Sequence, residues 1–76
     1  MNGYWQHPTR IGLARIVFFS GAWHAAIGEE SLGAYSTPEQ ALDDLANGTT
    51  YWPSCGTDPS TLGMPDELGD WEFIPI

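Results

Sequence analysis

The chain has 76 residues, enough for one small domain with a single core. Ten acidic residues stand against two arginines and no lysine, so the net charge is −8. This balance disfavours direct contact with nucleic-acid phosphates or anionic lipid, because both need Lys and Arg. It favours attraction to a basic surface. The same acidity also keeps a small protein soluble, and both interpretations stay open.

Chemistry-bearing residues are scarce. The lone cysteine, Cys55, excludes an internal disulfide and a cysteine-rich zinc site. His7 and His24 show no metal-ligand spacing, and no nucleotide-binding motif occurs. The first residues lack the pattern of a signal peptide, and no apolar run is long enough to span a bilayer. We therefore expect a cytoplasmic protein that is not an enzyme and holds neither metal nor cofactor.

Strands dominate the first half of the predicted fold. Residues 1–9 are polar and aromatic and end near Pro8, which is typical of an arm. β-branched and aromatic residues then predict three antiparallel strands with short turns between them, at 10–19, 22–27 and 32–35. In the first strand one face carries an apolar row, which Arg15 interrupts: Ile11, Leu13, Val17 and Phe19.

One helix follows the strands. Thr37 is a suitable N-cap, Pro38 suits the first helical position, and Gln40 completes a capping box. Asn47 and Gly48 supply a C-terminal stop. These signals predict a helix over 38–46.

The remaining segment, 49–76, contains four of the six prolines and many apolar residues. Single helical turns are predicted at 58–59 and 64–67, and residues 71–74 could add an edge strand. The predicted fold is α+β: a three-stranded antiparallel meander packed by one helix, with an irregular aromatic C-terminal wrap. Residues 1–76 would form one domain, with an arm at 1–9, the sheet and helix at 10–48, and the wrapping tail at 49–76.

The middle of the chain resembles a known module. Residues 23–27, Trp-His-Ala-Ala-Ile, and 32–41, Leu-Gly-Ala-Tyr-Ser-Thr-Pro-Glu-Gln-Ala, are similar to the plant ethylene-response-factor type DNA-binding module. The resemblance implies a three-stranded sheet packed by one helix. That module reads DNA through arginines and tryptophans on its sheet, whereas the equivalent first strand here offers only Arg15. We expect the topology without the DNA-binding activity.

Acidic residues on the helix form the main candidate site. Glu39 and Asp43 are spaced to share one helical face, and such a like-charge pair costs about 0.2–0.5 kcal/mol. Asp43 and Asp44 also lie near the negative end of the helix dipole, at a cost of about 0.3–1 kcal/mol each. A helix selected only for stability would not carry them. We predict an anionic binding face, which Glu29 and Glu30 extend if their turn lies on the same side.

Two functions are consistent with these features. The first is a protein that occupies the basic site of a nucleic-acid-binding protein, with Trp52 and Trp71 adding aromatic contacts to the acidic residues. Small acidic phage inhibitors, anti-CRISPR proteins among them, resemble this chain in size and charge. The alternative is a structural or assembly module, for example a homo-oligomer, that uses the aromatic tail as its interface.

Overall fold

The computed structural model describes residues 3–76, which form one antiparallel sheet and one α-helix. The strands are β1 (Gly3–Thr9), β2 (Gly12–Phe19), β3 (Ala22–Ile27), β4 (Glu30–Tyr35) and β5 (Glu72–Pro75), and the helix α1 is Pro38–Asn47. The sheet has five strands in the order β4-β3-β2-β1-β5. The α+β class agrees with the sequence, but the prediction of three strands was wrong.

The two additional strands come from the predicted arm and from the end of the tail. β1 pairs with β2 on one side and with β5 on the other, through registers such as Trp5↔Ile16 and Trp5↔Phe73. Pro8 does not end β1, because it lies beyond Gln6, the last β1 residue that pairs with β5. No hydrogen bond to β5 is therefore lost at the proline. The edge strand considered at 71–74 exists as β5.

The three predicted strands are present as β2, β3 and β4. The turn between β2 and β3 has positive φ at both Ser20 (51°) and Gly21 (81°), as tight hairpins prefer. The buried row of β2 is Ala14 and Ile16, both fully buried. The more apolar row, which includes Phe19, lies on the opposite face of the sheet, where Phe19 is 54% exposed.

The helix prediction is confirmed to within one residue. Thr37 Oγ1 accepts a hydrogen bond from the Gln40 backbone N–H at 3.1 Å. Gly48 ends the helix with φ 74°, and its N–H bonds the Leu45 carbonyl at 3.2 Å. The buried side chains of Ala41, Leu42 and Leu45 pack on β2, β3 and β4.

The tail completes the core beside β1. Two short 3₁₀ turns occur, at Pro59–Thr61 with Asp58 as N-cap and at Leu68–Asp70, the second one lying after the predicted position. Trp71 is only 5% exposed, and its indole N–H donates to the Pro65 carbonyl at 2.8 Å. Within residues 3–76, no helix has the length and hydropathy needed to cross a bilayer.

Candidate binding site

An open groove lies along the free edge of the sheet. β4 pairs only with β3, and the segment 49–51 passes beside its other edge. There the Tyr51 N–H donates to the Leu32 carbonyl at 2.9 Å. The groove between them has a volume of about 380 Å³ and is lined by Leu32, Gly33, Ala34, Tyr35, Thr49, Thr50 and Tyr51.

The Tyr35 ring forms one wall of this groove. It lies over Gly33, where an added Cβ would come within 2.8 Å of the Tyr35 hydroxyl oxygen, so only glycine fits there without a shift. Burial, and then the neighbouring Asp44 carboxylate, raise the pKa of Tyr35 to about 12. Folding therefore favours the protonated phenol, and Asp44 stands beside it on α1.

Glu30 holds the loop that follows the groove-lining segment 49–51. Its carboxylate accepts hydrogen bonds from the Ser54 backbone N–H, at 3.0 and 3.2 Å to its two oxygens, and from Ser54 Oγ at 3.3 Å. These contacts fix the segment after Tyr51 against the first residue of β4. Glu30 thus has a structural role while adding a negative charge close to Leu32.

Two exposed aromatic side chains flank the same region. Trp52 is 51% exposed, and its indole N–H donates to the Gly48 carbonyl at 3.0 Å, so the ring is held at the C-terminal end of α1. Tyr51 is 82% exposed. Solvent-facing aromatic rings held by a hydrogen bond lose little entropy on binding and are common anchors at interfaces.

The predicted site residues fall into three groups. Glu30, Asp44 and Trp52 adjoin the groove through the contacts above. Three others are exposed acidic side chains, Glu39 and Asp43 on α1 and Glu29 in the turn before β4. The seventh residue, Trp71, packs in the core and offers no surface for a partner.

Sequence reasoning missed the groove itself. Ala34, Tyr35 and Tyr51 line it, yet Ala34 carries no chemical signal and neither tyrosine belongs to a motif that marks a binding site. The one sequence feature that could have pointed there is Tyr51 next to Trp52, two large aromatic residues directly after the helix stop. Their meeting with β4 depends on the fold.

The acidic side chains are not compensated by the two arginines. Arg10 donates to the Thr61 carbonyl at 3.0 Å and to Thr61 Oγ1 at 3.3 Å, and Arg15 donates to the Gly28 carbonyl at 3.3 Å. In residues 3–76, the hydrogen bonds of both arginines thus go to uncharged oxygens. The surface around α1 and β4 keeps a strongly negative potential.

No family model, curated protein or solved structure matches this chain. Residues 3–76 also contain no group of three or more His, Cys, Asp or Glu side chains able to hold a metal ion. Cys55 is exposed, and a hydrogen bond with Thr57 lowers the pKa of its thiol.

Proposed function

We propose that this protein is a non-enzymatic acidic inhibitor that occupies the basic site of a nucleic-acid-binding protein inside the cell. The observation that carries this proposal is the exposed ring of Trp52, which the Gly48 carbonyl holds just beyond the last turn of α1, where Asp44 lies. The Glu30 carboxylate holds the same loop at Ser54. Negative charge next to a held aromatic anchor is the combination that a basic, nucleic-acid-binding cleft would accept.

The charge of this protein supports a partner with a positively charged surface. A net charge of −8 on a body with a radius of gyration of 11.0 Å attracts basic surfaces and repels nucleic acid. Glu39 and Asp43 are exposed on α1 and lack a basic side chain in the last turn of the helix to offset them. Glu39 is in the first turn, where the helix dipole favours it, but Asp43 and Asp44 lie near the negative end of the dipole. Their cost to the helix is explained if a basic partner neutralises them in the complex.

The test is affinity capture from the source cell with a matched pair of charge reversals. The variant Glu39→Lys/Asp43→Lys changes the α1 face, and Asp66→Lys/Glu67→Lys makes the same change of charge at exposed positions in the tail. We expect the tail variant and the wild type to recover a DNA- or RNA-handling protein, which short nucleic acid then displaces. We expect the α1 variant to lose it.

Equal recovery by both variants would show that the α1 face is ordinary solvated surface. Recovery of a partner that nucleic acid does not displace would remove the inhibitor mechanism while leaving a binding protein. Binding should also weaken as salt rises, since the attraction is between charged surfaces that salt screens.

A second candidate function is self-association through aromatic side chains. Phe18, Trp23, Trp5 and Phe73 form a continuous row with ring centroids 5.3, 5.8 and 5.1 Å apart. Its two end members are open to solvent, Phe18 at 52% and Phe73 at 43% exposure. Such a row could pack against a second copy.

Salt distinguishes the two candidate functions, because it should weaken binding to a basic partner and strengthen self-association. Two copies that each carry −8 repel one another, so a dimer held by the aromatic row would become tighter as salt rises. Sedimentation over a dilution series measures this. A monomer at every concentration and salt level would exclude the assembly module, and Phe18→Ser/Phe73→Ser should abolish any dimer that forms.

A further inference from the structure

The geometry points to a specific occupant for the groove: an extended basic segment of a partner protein, bound as an additional strand on β4. This inference rests on the proposed function for the sign of the partner's charge, and it adds how the partner is held. β-strand addition needs a free sheet edge, room for side chains and a compatible charge. Each of these three features is present beside Ala34.

The free edge is the first feature. The two-residue turn makes Phe19 and Ala22 a hydrogen-bonded pair, so Trp23 bonds Tyr35 on its other edge. The neighbouring residue, Ala34, therefore directs its N–H and C=O away from β3. The Leu32 carbonyl already accepts a bond from the Tyr51 N–H at 2.9 Å, on the side away from β3. One strand-like hydrogen bond is therefore in place, and Ala34 can continue the ladder with an incoming chain.

The groove and its charges supply the other two features. A volume of about 380 Å³ is enough for one long side chain beside the backbone. Asp44 stands next to the Tyr35 wall, and Glu30 lies two residues before Leu32. An arginine or lysine that enters the groove thus approaches the Asp44 carboxylate beside Tyr35 in a protein of net charge −8, whereas an acidic side chain would be repelled.

A second copy of this chain fits the groove less well. Pairing β4 with β4 would bring two acidic surfaces together, each with its own Glu30 and Asp44, in a protein of net charge −8. A partner segment rich in Lys or Arg removes that repulsion. Charge complementarity therefore selects a basic segment over self-pairing.

The probe is a synthetic peptide of about eight residues that alternates arginine and valine, the usual length and pattern of a strand. Its first comparator has the same sequence with the amide nitrogens along one edge methylated, which keeps the charge and removes the strand hydrogen bonds. Its second comparator replaces arginine with glutamate. Binding is measured by titration, and NMR of the protein's amides locates the contact.

We expect the basic peptide to bind and to shift the amide signals of Ala34, Tyr35 and Thr50. The methylated peptide should bind about fivefold more weakly for each backbone hydrogen bond lost. The acidic peptide should not bind. Equal affinity for the basic and methylated peptides would overturn the proposal, since attraction would then be electrostatic alone.

Variants of the protein provide an independent arm. Ala34→Pro removes the edge N–H, which an edge strand tolerates, and Ala34→Ser is the matched control that keeps it. We expect Ala34→Pro to weaken binding about fivefold and Ala34→Ser to have little effect. Asp44→Asn should weaken binding more than Asp66→Asn, which removes one charge at an exposed tail position.

The outcomes for the groove and for the proposed function are distinguishable. If the basic peptide does not bind while Glu39→Lys/Asp43→Lys still abolishes capture of the partner from the cell, the groove proposal is lost and the proposed function stands. If Ala34→Pro reduces peptide binding but the α1 reversal leaves capture unchanged, the groove stands and the α1 face does not. If Ala34→Pro fails to fold, the comparison of the basic and methylated peptides on the wild-type protein tests the groove proposal by itself.

Discussion

Replacing Gly48 by alanine tests how the end of α1 is joined to the tail. Gly48 has φ 74°, a left-handed conformation that costs a residue with a Cβ about 1–2 kcal/mol. The added Cβ would also collide with Asp58 Oδ1 and lie 3.2 Å from the Ser60 Cβ. That Asp58 oxygen caps the following turn by accepting from Ser60 N and Ser60 Oγ, each at 2.9 Å.

The expected loss is the sum of these two effects. Displacing Asp58 removes a cap worth about 1 kcal/mol, so Gly48→Ala should lower the free energy of unfolding by about 2–3 kcal/mol. Gly63 is the matched control, because it has φ 70° and nothing within 4 Å of an added Cβ. Gly63→Ala should cost only the conformational part, about 1–2 kcal/mol.

Urea unfolding followed by tryptophan fluorescence gives both numbers. For a domain of this size, the difference of about 1 kcal/mol corresponds to about 4–8 °C in Tm. The gain from reduced flexibility of the unfolded chain is shared by both variants and cancels. Equal losses at Gly48 and Gly63 would refute the role of Asp58, as would an unchanged extra cost of Gly48→Ala in an Asp58→Ala background.

Three further predictions follow from single contacts. The pKa of Tyr35 is raised from 10.0 to about 12, so folding favours its protonated form, and the free energy of unfolding should fall as pH rises from about 10 to about 12. Urea titrations at each pH measure this fall, which Tyr35→Phe should abolish and Asp44→Asn should reduce. Thr37→Ala removes the helix N-cap and should cost about 1 kcal/mol, while Thr37→Asn should cost little, and an equal loss for both would contradict a capping role. Trp71→Phe keeps an aromatic ring but leaves the Pro65 carbonyl without its donor, so thermal unfolding should show a loss of at least about 1 kcal/mol; an unchanged Tm would mean that water replaces the indole.

The helix and the central strands could be predicted because their signals are local. Thr37 and Gly48 each act within one turn of α1, and the Ser20–Gly21 turn sets the register of β2 and β3 without help from the rest of the chain. Hydrogen bonds of this kind depend on neighbours that are close in sequence.

β1 and β5 could not be predicted in the same way. Gln6 and Glu72 pair although they are 66 residues apart, and the Gln6 side chain donates to the Glu72 carboxylate at 2.9 Å. Nothing in Gly3–Thr9 alone indicates that partner, and Pro8 suggests a break. Burial of Trp71 depends on the same long-range pairing, which explains why its place in the core could not be read from the sequence.

The candidate site was predictable in charge but not in shape. Composition alone identifies an acidic surface, and helical spacing puts Glu39 and Asp43 on one face. The groove exists because Tyr51 bonds Leu32, which lies 19 residues earlier in the chain, on the other side of α1. Contacts of that range follow from packing, which residue patterns do not encode.

The pairing of β1 with β5 also has a kinetic consequence. Closing the two-residue turn between β2 and β3 involves a short loop, whereas bringing Gln6 to Glu72 closes one of 66 residues. The 66-residue loop is longer than the two-residue turn by roughly five doublings, so closing it costs about 3 kcal/mol more in conformational entropy. β5 should therefore dock after the hairpins have formed, and the contact between Trp5 and Phe73, with ring centroids 5.1 Å apart, should report the last step of folding.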